Sequence, residues 1–201
     1  MKKIPTLFKR VFSPYNHQIL QTLPEVMPGL EWVIAGEGIA TIKYDGACCA
    51  IINNRFYKRY DANIKRGRVI PPDAIPCQNA PDPVTGHMPC WVPCYRDDPG
   101  DRWFWAAYDN YSMEREDWTY EAVGPHFQGN PYNLTDDVLI RHGKNEIIVP
   151  RNYQGIKRYL ETHIMEGIVF WKDGEPQCKI KRSDFGFAWG KHIMGNGELT
   201  F

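Results

Sequence analysis

Apolar and polar residues alternate over several short stretches of this chain, and few stretches have the spacing of an amphipathic helix. Alternation is typical of half-buried strands, whereas apolar residues three and four apart indicate a helix. The pattern predicts strands within 38–61 (three strands), 103–108, 118–123, 146–149, 166–171 and 177–182. Many short strands with few helices favour an α+β fold built mainly on antiparallel sheets.

Two segments are predicted to be helical. Four side chains in and just after 153–162 share one helical face, namely Ile156, Tyr159, Leu160 and His163. A second short helix is predicted at 14–23, because Ser13 suits an N-cap and Pro14 suits the first helical position. Both helices would flank the predicted sheets.

The chain is predicted to form a single domain over residues 1–201. Segment 71–100 is rich in proline, glycine and aspartate and shows little periodicity, so we expect a long excursion over the surface. Segment 129–135 is predicted to be a turn.

Charge and hydropathy limit the environment of the protein. The 24 Lys and Arg residues balance the 24 Asp and Glu residues, so the formal net charge is zero. Two local basic patches remain, "KRGR" at 65–68 and "KIKR" at 179–182, and a local patch is enough to bind the end of a nucleic acid strand. No apolar run has membrane-spanning length, and the first residues lack a signal-peptide core. We therefore expect an intracellular, cytoplasmic protein without membrane contact.

Six cysteines leave two interpretations open. Cys48 and Cys49 are adjacent on a predicted strand, so they point to opposite faces and pack as small apolar residues. The remaining candidates for a tetrahedral zinc site are Cys77, His87, Cys90 and Cys94. Their spacing is loose, and the alternative is a loop with reduced thiols.

Two turn signals suggest how the first charged residues are arranged. If the Asp-Gly pair at 45–46 and the Asn-Asn pair at 53–54 are two-residue turns, Lys43 faces Cys48, and Cys48 faces Arg59. Directly opposed residues point to the same sheet face. The two cations would then flank a small side chain, which is a suitable place for an anion.

A third turn signal, the Asp-Gly pair at 173–174, predicts a hairpin near the end of the chain. A two-residue turn there would set Glu166 opposite Lys181. Lys179 and Lys181 would share one face, and the other face would hold Cys178 and Ile180.

These segments resemble the ordered motifs of the covalent nucleotidyltransferases, the superfamily of ATP-dependent ligases and mRNA capping enzymes. The matching segments are "KYDG" with Lys43, "YKRYD" with Arg59, "TYEAVGP" with Glu121, "EGIVFW" with Glu166, and "KIKR" with Lys179 and Lys181. A single K-x-D-G match is weak, but five motifs in the expected order and spacing are a specific signal.

Two segments in the middle of the chain make the resemblance more specific. "TGHMPCWVPC" at 85–94 and "EAVGPHFQGNPY" at 121–132 are similar to the vertebrate-type 5′-to-3′ RNA ligases. The resemblance implies the nucleotidyltransferase fold, antiparallel sheets flanked by helices. Only a short tail follows Arg182, so we expect no C-terminal OB-fold domain of the kind that DNA ligases and capping enzymes carry.

Covalent nucleotidyl transfer needs a neutral amine as nucleophile. Free lysine has a pKa of ~10.4, and burial and neighbouring cations lower it. By resemblance, Lys43 is that nucleophile and attacks ATP; the AMP then passes to a 5′-phosphate of RNA, and a 3′-hydroxyl displaces it. The resemblance further implies that Lys179 and Lys181 hold the α-phosphate, that Arg59 and Glu121 hold the ribose, that Glu166 binds Mg²⁺ or Mn²⁺, and that His142 or a nearby aromatic residue stacks on adenine.

The expected partners are ATP and RNA ends with a 5′-phosphate and a 3′-hydroxyl, bound by a monomer that acts in RNA repair. Two alternatives stay open. One is another enzyme of the superfamily, a DNA ligase or an mRNA guanylyltransferase. The other is a non-catalytic RNA-binding module.

Overall fold

The computed structural model describes residues 1–16 and 18–190 and confirms an α+β protein with mostly antiparallel sheets and few helices. Its strands are β1 Phe8–Phe12, β2 Ile19–Val26, β3 Ile39–Lys43, β4 Ala47–Ile52, β5 Arg55–Asn63, β6 Ile75–Pro76, β7 His87–Pro93, β8 Thr119–Val123, β9 Val138–Arg141, β10 Glu146–Ile147, β11 Gly167–Lys172 and β12 Glu175–Lys181. Its α-helices are α1 Glu31–Ile34, α2 Arg102–Asp109 and α3 Tyr153–Thr162, with short 3-10 turns at Ile64–Arg66, Pro99–Asp101 and Arg182–Phe185. Along these described residues, no helix has both the length and the apolar character needed to cross a membrane.

The chain divides into two compact units. The first unit comprises Met1–Lys3 and Asp45–His142. The second unit comprises Ile4–Tyr44 and the described part of Gly143–Phe201. Each unit contains its own main sheet and its own apolar core, so each is described by itself.

The first unit is built on a six-stranded antiparallel sheet with the order β6-β7-β5-β4-β8-β9. Successive side chains of β4 point to opposite faces of the sheet, as expected for a strand. Cys49 and Ile51 pack in a core with the aromatic side chains of α2, whereas Ala50 packs with Tyr57 and Trp91 in a second cluster. Both faces of the sheet are therefore partly covered by apolar residues.

The second unit is built on a four-stranded antiparallel sheet with the order β10-β3-β11-β12. Its core takes alternate residues of the strands, including Ala40, Ile168, Phe170, Cys178 and Ile180. The predicted helix at 153–162 is confirmed as α3, and its residues Ile156 and Leu160 are fully buried in this core. Because one sheet face is used by the core, the opposite face is available for polar side chains.

The predicted turn at 53–54 is confirmed. Ile52 pairs with Arg55 across β4 and β5, and both asparagines have positive φ, 50° and 59°. Positive φ at both central residues is the requirement of the type I′ turn. The carboxylate of Asp117 accepts hydrogen bonds from both turn amides, at 2.6 and 3.1 Å.

The prediction of a hairpin around 45–46 is wrong. β3 pairs with β10 and β11, whereas β4 pairs with β5 and β8 in the other sheet. Gly46 is needed because its backbone lies very close to that of Ala122: a Cβ at this position would be 2.2 Å from the Ala122 backbone oxygen. Lys43 therefore does not face Cys48, although Cys48 and Arg59 do share a sheet face.

The last hairpin has the predicted turn but not the predicted register. Lys172 pairs with Glu175 around the turn at 173–174. A bulge then follows where β11 passes from Phe170 to Trp171. A bulge sets two residues of one strand against one residue of its partner, so every later pair is shifted by one.

Gly167 is consequently opposite Lys181, where Glu166 was predicted. Lys179 shifts by the same amount and is opposite Val169. The prediction of the faces is confirmed, because the residues of β12 that alternate with the two lysines are buried in the core, namely Cys178 and Ile180.

Two element predictions are wrong. Segment 14–23 is not a helix: Ser13 accepts a hydrogen bond from the Tyr15 amide in a turn, and β2 begins at Ile19 and pairs with β1. Segment 103–108 is not a strand but lies in α2, because its aromatic residues recur at helical spacing and cover the core of the first unit.

The predicted surface excursion at 71–100 is only partly correct. It contains β7, which pairs with β5 over seven residues from Asn63↔His87 to Tyr57↔Pro93. Its side chains Met88, Cys90 and Trp91 are buried. This interior strand was missed in the sequence because prolines at positions 89 and 93 interrupt the apolar pattern.

Candidate functional site

Three lysines and one glutamate meet in the second unit, and we call Lys43, Glu166, Lys179 and Lys181 the lysine cluster. β11 lies between β3 and β12, so that Gly167 is opposite both Lys43 and Lys181. Opposed residues point to the same face. The two lysines therefore project from the polar face of the sheet, and Lys179, two residues before Lys181, projects from it as well.

The carboxylate of Glu166 bridges two ammonium groups of the cluster. Its Oε2 lies 2.5 Å from Lys43 Nζ, and its Oε1 lies 2.5 Å from Lys181 Nζ. Only 5% of the Glu166 side chain is exposed, which strengthens both attractions. Glu166 and the nearby Asp184, which also pairs with Arg10, do not balance three ammonium groups, so the cluster offers excess positive charge to an anion such as a phosphate.

Lys179 has a lowered pKa in this cluster. Burial, followed by the nearby charges of Lys43 and Lys181, lowers the pKa of Lys179 from 10.5 to about 8. Glu166 and Asp184 act in the opposite direction but do not cancel these effects. A positive charge at this position therefore costs folding free energy.

We expect Lys179→Met to stabilise the protein at pH 7 by about 1–3 kcal/mol, because it removes a partly buried charge of lowered pKa. In the wild type, the unfolded chain binds more protons than the folded chain between pH 8 and 10.5, so stability rises with pH across that window. Lys179→Met should lack that rise. Urea unfolding at pH 7 and at steps up to pH 10 measures both effects.

Lys179→Arg is the matched control, because a guanidinium keeps its charge throughout this pH range. It should be no more stable than the wild type at pH 7 and should also lack the rise. A Lys179→Met variant less stable than the wild type at pH 7 would show that the charge is not the source of the cost.

The first unit contains a second polar group, which we call the Glu121 cluster and which comprises Cys48, Glu121 and His142. Cys48 is opposite Glu121 on β4 and β8. Glu121 Oε1 accepts a hydrogen bond from the Gly46 amide at 3.0 Å, and Glu121 Oε2 lies 3.0 Å from His142 Nε2. The other imidazole nitrogen, Nδ1, lies 3.0 Å from Thr119 Oγ1.

Arg59 lies on the same sheet face as Cys48. The pairing of Ala50 with Tyr57 sets this face, and alternation along β4 and β5 extends it. Burial, followed by the charge of Glu121, raises the pKa of Cys48 to about 12, while Arg59 acts in the opposite direction. The face thus combines a guanidinium, a carboxylate and an imidazole, which can bind the hydroxyls of a sugar.

The site residues predicted from the sequence fall into two groups, one in each unit. The lysine cluster holds Lys43, Glu166, Lys179 and Lys181. The Glu121 cluster holds Glu121 and His142, and its sheet face also carries Arg59. No family model and no curated protein matches this chain.

Three supporting residues were missed in the sequence. Tyr132 lies with its hydroxyl 2.5 Å from the amide nitrogen of Asp45, next to the K-x-D-G segment. Thr119 orients His142, and Cys48 contributes a thiol that the sequence suggested only as packing. Thr119 could have been found by alternation, since it lies two residues before Glu121 on the same strand face.

The candidate zinc ligands near β7 are separated by the sheet. Cys94 packs with Cys49 and Phe56 on one face. Cys77 packs with the cluster on the other face, where Trp91 is buried. Ligands on opposite faces of one sheet cannot reach the same tetrahedral ion, whose ligand bonds are about 2.0–2.3 Å.

We expect β7 to keep its structure in the presence of a zinc chelator, because seven residue pairs with β5 hold it in place. Hydrogen exchange of the amides in 87–93, measured with and without chelator, tests this. Protection there should be unchanged. Loss of protection on chelation would mean that a metal ion stabilises this segment.

Proposed function

We propose that this chain is an ATP-dependent RNA ligase that works through a lysyl-AMP intermediate and has the nucleotidyltransferase fold. The observation that carries the proposal is the lysine cluster. Lys43, Lys179 and Lys181 come from two motif segments that lie far apart in the sequence, and they share one polar sheet face. Glu166, from a third segment just before β11, contacts both Lys43 and Lys181. A structural surface needs no such excess of positive charge on partly buried lysines, whereas transfer of a phosphate-linked nucleotide does.

In the first step, Lys43 Nζ forms a bond to the α-phosphorus of ATP as the bond from that phosphorus to the pyrophosphate oxygen breaks. The ammonium must first lose a proton to expose its lone pair. Glu166 Oε2, at 2.5 Å, is positioned to accept a proton from Nζ. Lys181, bound to the other oxygen of Glu166, keeps that carboxylate oriented.

Lys179 and Lys181 are assigned to the α-phosphate, where they would neutralise charge that develops during transfer. Arg59 and Glu121 are assigned to the ribose, and His142 to the base. The geometry of His142 limits its freedom, since both ring nitrogens have partners, Thr119 and Glu121.

A divalent cation is consistent with the residues present. Mg²⁺ is commonly held by one or two carboxylates together with substrate phosphates and water. Glu166 would provide the carboxylate for Mg²⁺ or Mn²⁺, whose charge would stabilise the leaving pyrophosphate. The chain's own groups would orient the amine and the α-phosphate.

In the later steps, a phosphate oxygen of the RNA 5′ end attacks the lysyl-AMP and frees Lys43. The RNA 3′-hydroxyl then attacks the 5′-phosphorus and releases AMP. Phosphate neutralisation by Lys179 and Lys181 is needed again, whereas the nucleophile is now supplied by RNA.

The test is incubation with α-labelled ATP or GTP and a divalent cation, followed by denaturing electrophoresis. A covalent adduct with ATP and joining of RNA carrying a 5′-phosphate are expected. An adduct with GTP alone would indicate a capping enzyme, and joining of DNA but not RNA would indicate a DNA ligase. No adduct from folded protein would contradict nucleotidyl transfer and leave the RNA-binding alternative.

A further inference from the structure

The Glu121 cluster brings three different metal-binding atoms together. The Cys48 sulfur, a Glu121 carboxylate oxygen and a His142 imidazole nitrogen all lie within 4.8 Å of one another. Among the described residues, this is the one group of three Cys, His or acidic side chains that meets that limit. These atoms form a metal-binding set in addition to the contacts assigned to the ribose and the base.

We propose that Cys48, Glu121 and His142 form a three-ligand site for a divalent cation of the Zn²⁺ class, with a fourth position open to water or another ligand. Three protein ligands and an open position are the arrangement of exchangeable zinc sites, whereas closed structural sites use four. The proposal holds whether or not the chain transfers nucleotides.

The distances suit a small ion. Tetrahedral zinc with bonds of about 2.0 Å to nitrogen and oxygen separates those two atoms by roughly 3.3 Å. His142 Nε2 and Glu121 Oε2 are 3.0 Å apart, so little movement is needed to admit the ion. A proton or a cation must lie between these atoms, because each otherwise presents a lone pair to the other. A proton would suffice for this pair alone, but the nearby sulfur of Cys48 completes a metal-binding set.

Contacts behind the ligands favour the same interpretation. His142 Nδ1 is held by Thr119 Oγ1 at 3.0 Å, and Glu121 Oε1 is held by the Gly46 amide at 3.0 Å. Outer contacts of this kind fix the ring and the carboxylate of metal ligands. They leave Nε2 and Oε2 directed at each other. Both side chains are mostly buried, 15% and 11% exposed, which limits competition from water.

The ligand atoms also determine which ions are favoured. A thiolate and an imidazole suit Zn²⁺ and Co²⁺, whereas Mg²⁺ and Ca²⁺ prefer oxygen ligands. Cys48 and Glu121 lie opposite each other on paired strands, so their backbones are held in register before any ion binds. The site should therefore distinguish zinc-class ions from Mg²⁺.

The test is titration of the full chain with Co²⁺ under a non-thiol reductant, monitored by the thiolate-to-cobalt absorption band in the near ultraviolet. We expect the band to saturate at one equivalent. Zn²⁺ should abolish it, and a hundredfold excess of Mg²⁺ should not. Cys48→Ser should lose the band, and His142→Gln should weaken Co²⁺ binding at least ~10-fold.

Cys77→Ser is the matched control, because Cys77 is also partly exposed and packs against the same apolar cluster as Cys48. It should retain the band and the affinity. Circular dichroism checks that each variant is folded. Absence of the band in the wild type, or a band that survives Cys48→Ser and disappears in Cys77→Ser, would overturn the proposal. Should Cys48→Ser fail to fold, unchanged Co²⁺ affinity in folded His142→Gln would overturn it equally.

Discussion

We expect Lys43→Arg to abolish the covalent adduct with ATP while preserving some sealing of RNA that already carries AMP on its 5′ end. A guanidinium keeps the positive charge beside Glu166 but offers no amine nucleophile at neutral pH. In the sealing step the attacking group is the RNA 3′-hydroxyl, and AMP only leaves. Loss of the adduct should exceed ~10⁴-fold, since no other group replaces the nucleophile.

Two assays measure this difference, labelled-ATP adduct formation and joining of pre-adenylylated RNA. Lys172→Arg is the matched control, because Lys172 also forms a salt bridge, to Glu37 at 2.6 Å, but lies outside the lysine cluster. It should behave as the wild type in both assays. Lys43→Ala should also lose the adduct, and its sealing should be weaker than that of Lys43→Arg because a cation near the phosphate is missing.

If Lys43→Arg still formed the adduct, another lysine would be the nucleophile, and peptide mapping would identify it. The division of roles between nucleophile and phosphate-binding lysines would be contradicted if Lys43→Arg and Lys43→Ala both folded but showed no sealing above a protein-free blank. Lys43 would then be required for charge stabilisation as well as for attack.

The second large effect is expected at Glu166. Glu166→Gln removes the carboxylate that contacts both Lys43 and Lys181. The three neighbouring ammonium groups of the cluster then lose the negative charge of Glu166. We expect both adenylylation and sealing to fall by about 10²-fold or more, because the cations lose their orientation in every step. Stability at pH 7 should fall by about 3 kcal/mol, as for other buried ion pairs that lose one partner.

A double variant separates stability from activity. Adding Lys181→Met to Glu166→Gln removes one of the repelling charges, so stability should partly recover, with a coupling of about 0.5–3 kcal/mol. Activity should not recover, because a phosphate contact is lost as well. Urea unfolding and single-turnover adenylylation measure the two quantities.

Glu37→Gln is the matched control, since Glu37 pairs with Lys172 at an exposed position. An exposed pair contributes about 1 kcal/mol or less, so this variant should be close to the wild type. A Glu166→Gln variant with wild-type rates and stability would show that the bridge between the lysines has no role.

Several local features could be predicted from the sequence because their causes lie within a few residues. The apolar spacing of 153–162 was sufficient to predict α3, whose Ile156 and Leu160 are buried as expected. Two asparagines that tolerate positive φ were sufficient for the turn at 53–54. Alternation along β12 placed Lys179 and Lys181 on one face without knowledge of the register.

Other features depended on contacts that no local pattern contains. The Asp-Gly pair at 45–46 has the sequence of a hairpin turn, yet β3 and β4 pair with different partners in different sheets. Aromatic residues that favour strands form α2, because their helical spacing covers a core supplied by β4 and β5. The bulge in the last hairpin shifted Gly167, rather than Glu166, to the position opposite Lys181.

The sequence by itself thus determined the faces on which the lysines of β12 lie, and it predicted the candidate residues and their chemistry. Only the tertiary structure decided which of them touch. The bridge from Glu166 to Lys43 and Lys181, and the contact of Glu121 with His142, arise from strand partners distant in the sequence. Strand pairing is chosen by burial over the whole sheet, so short-range propensity and spacing do not specify it.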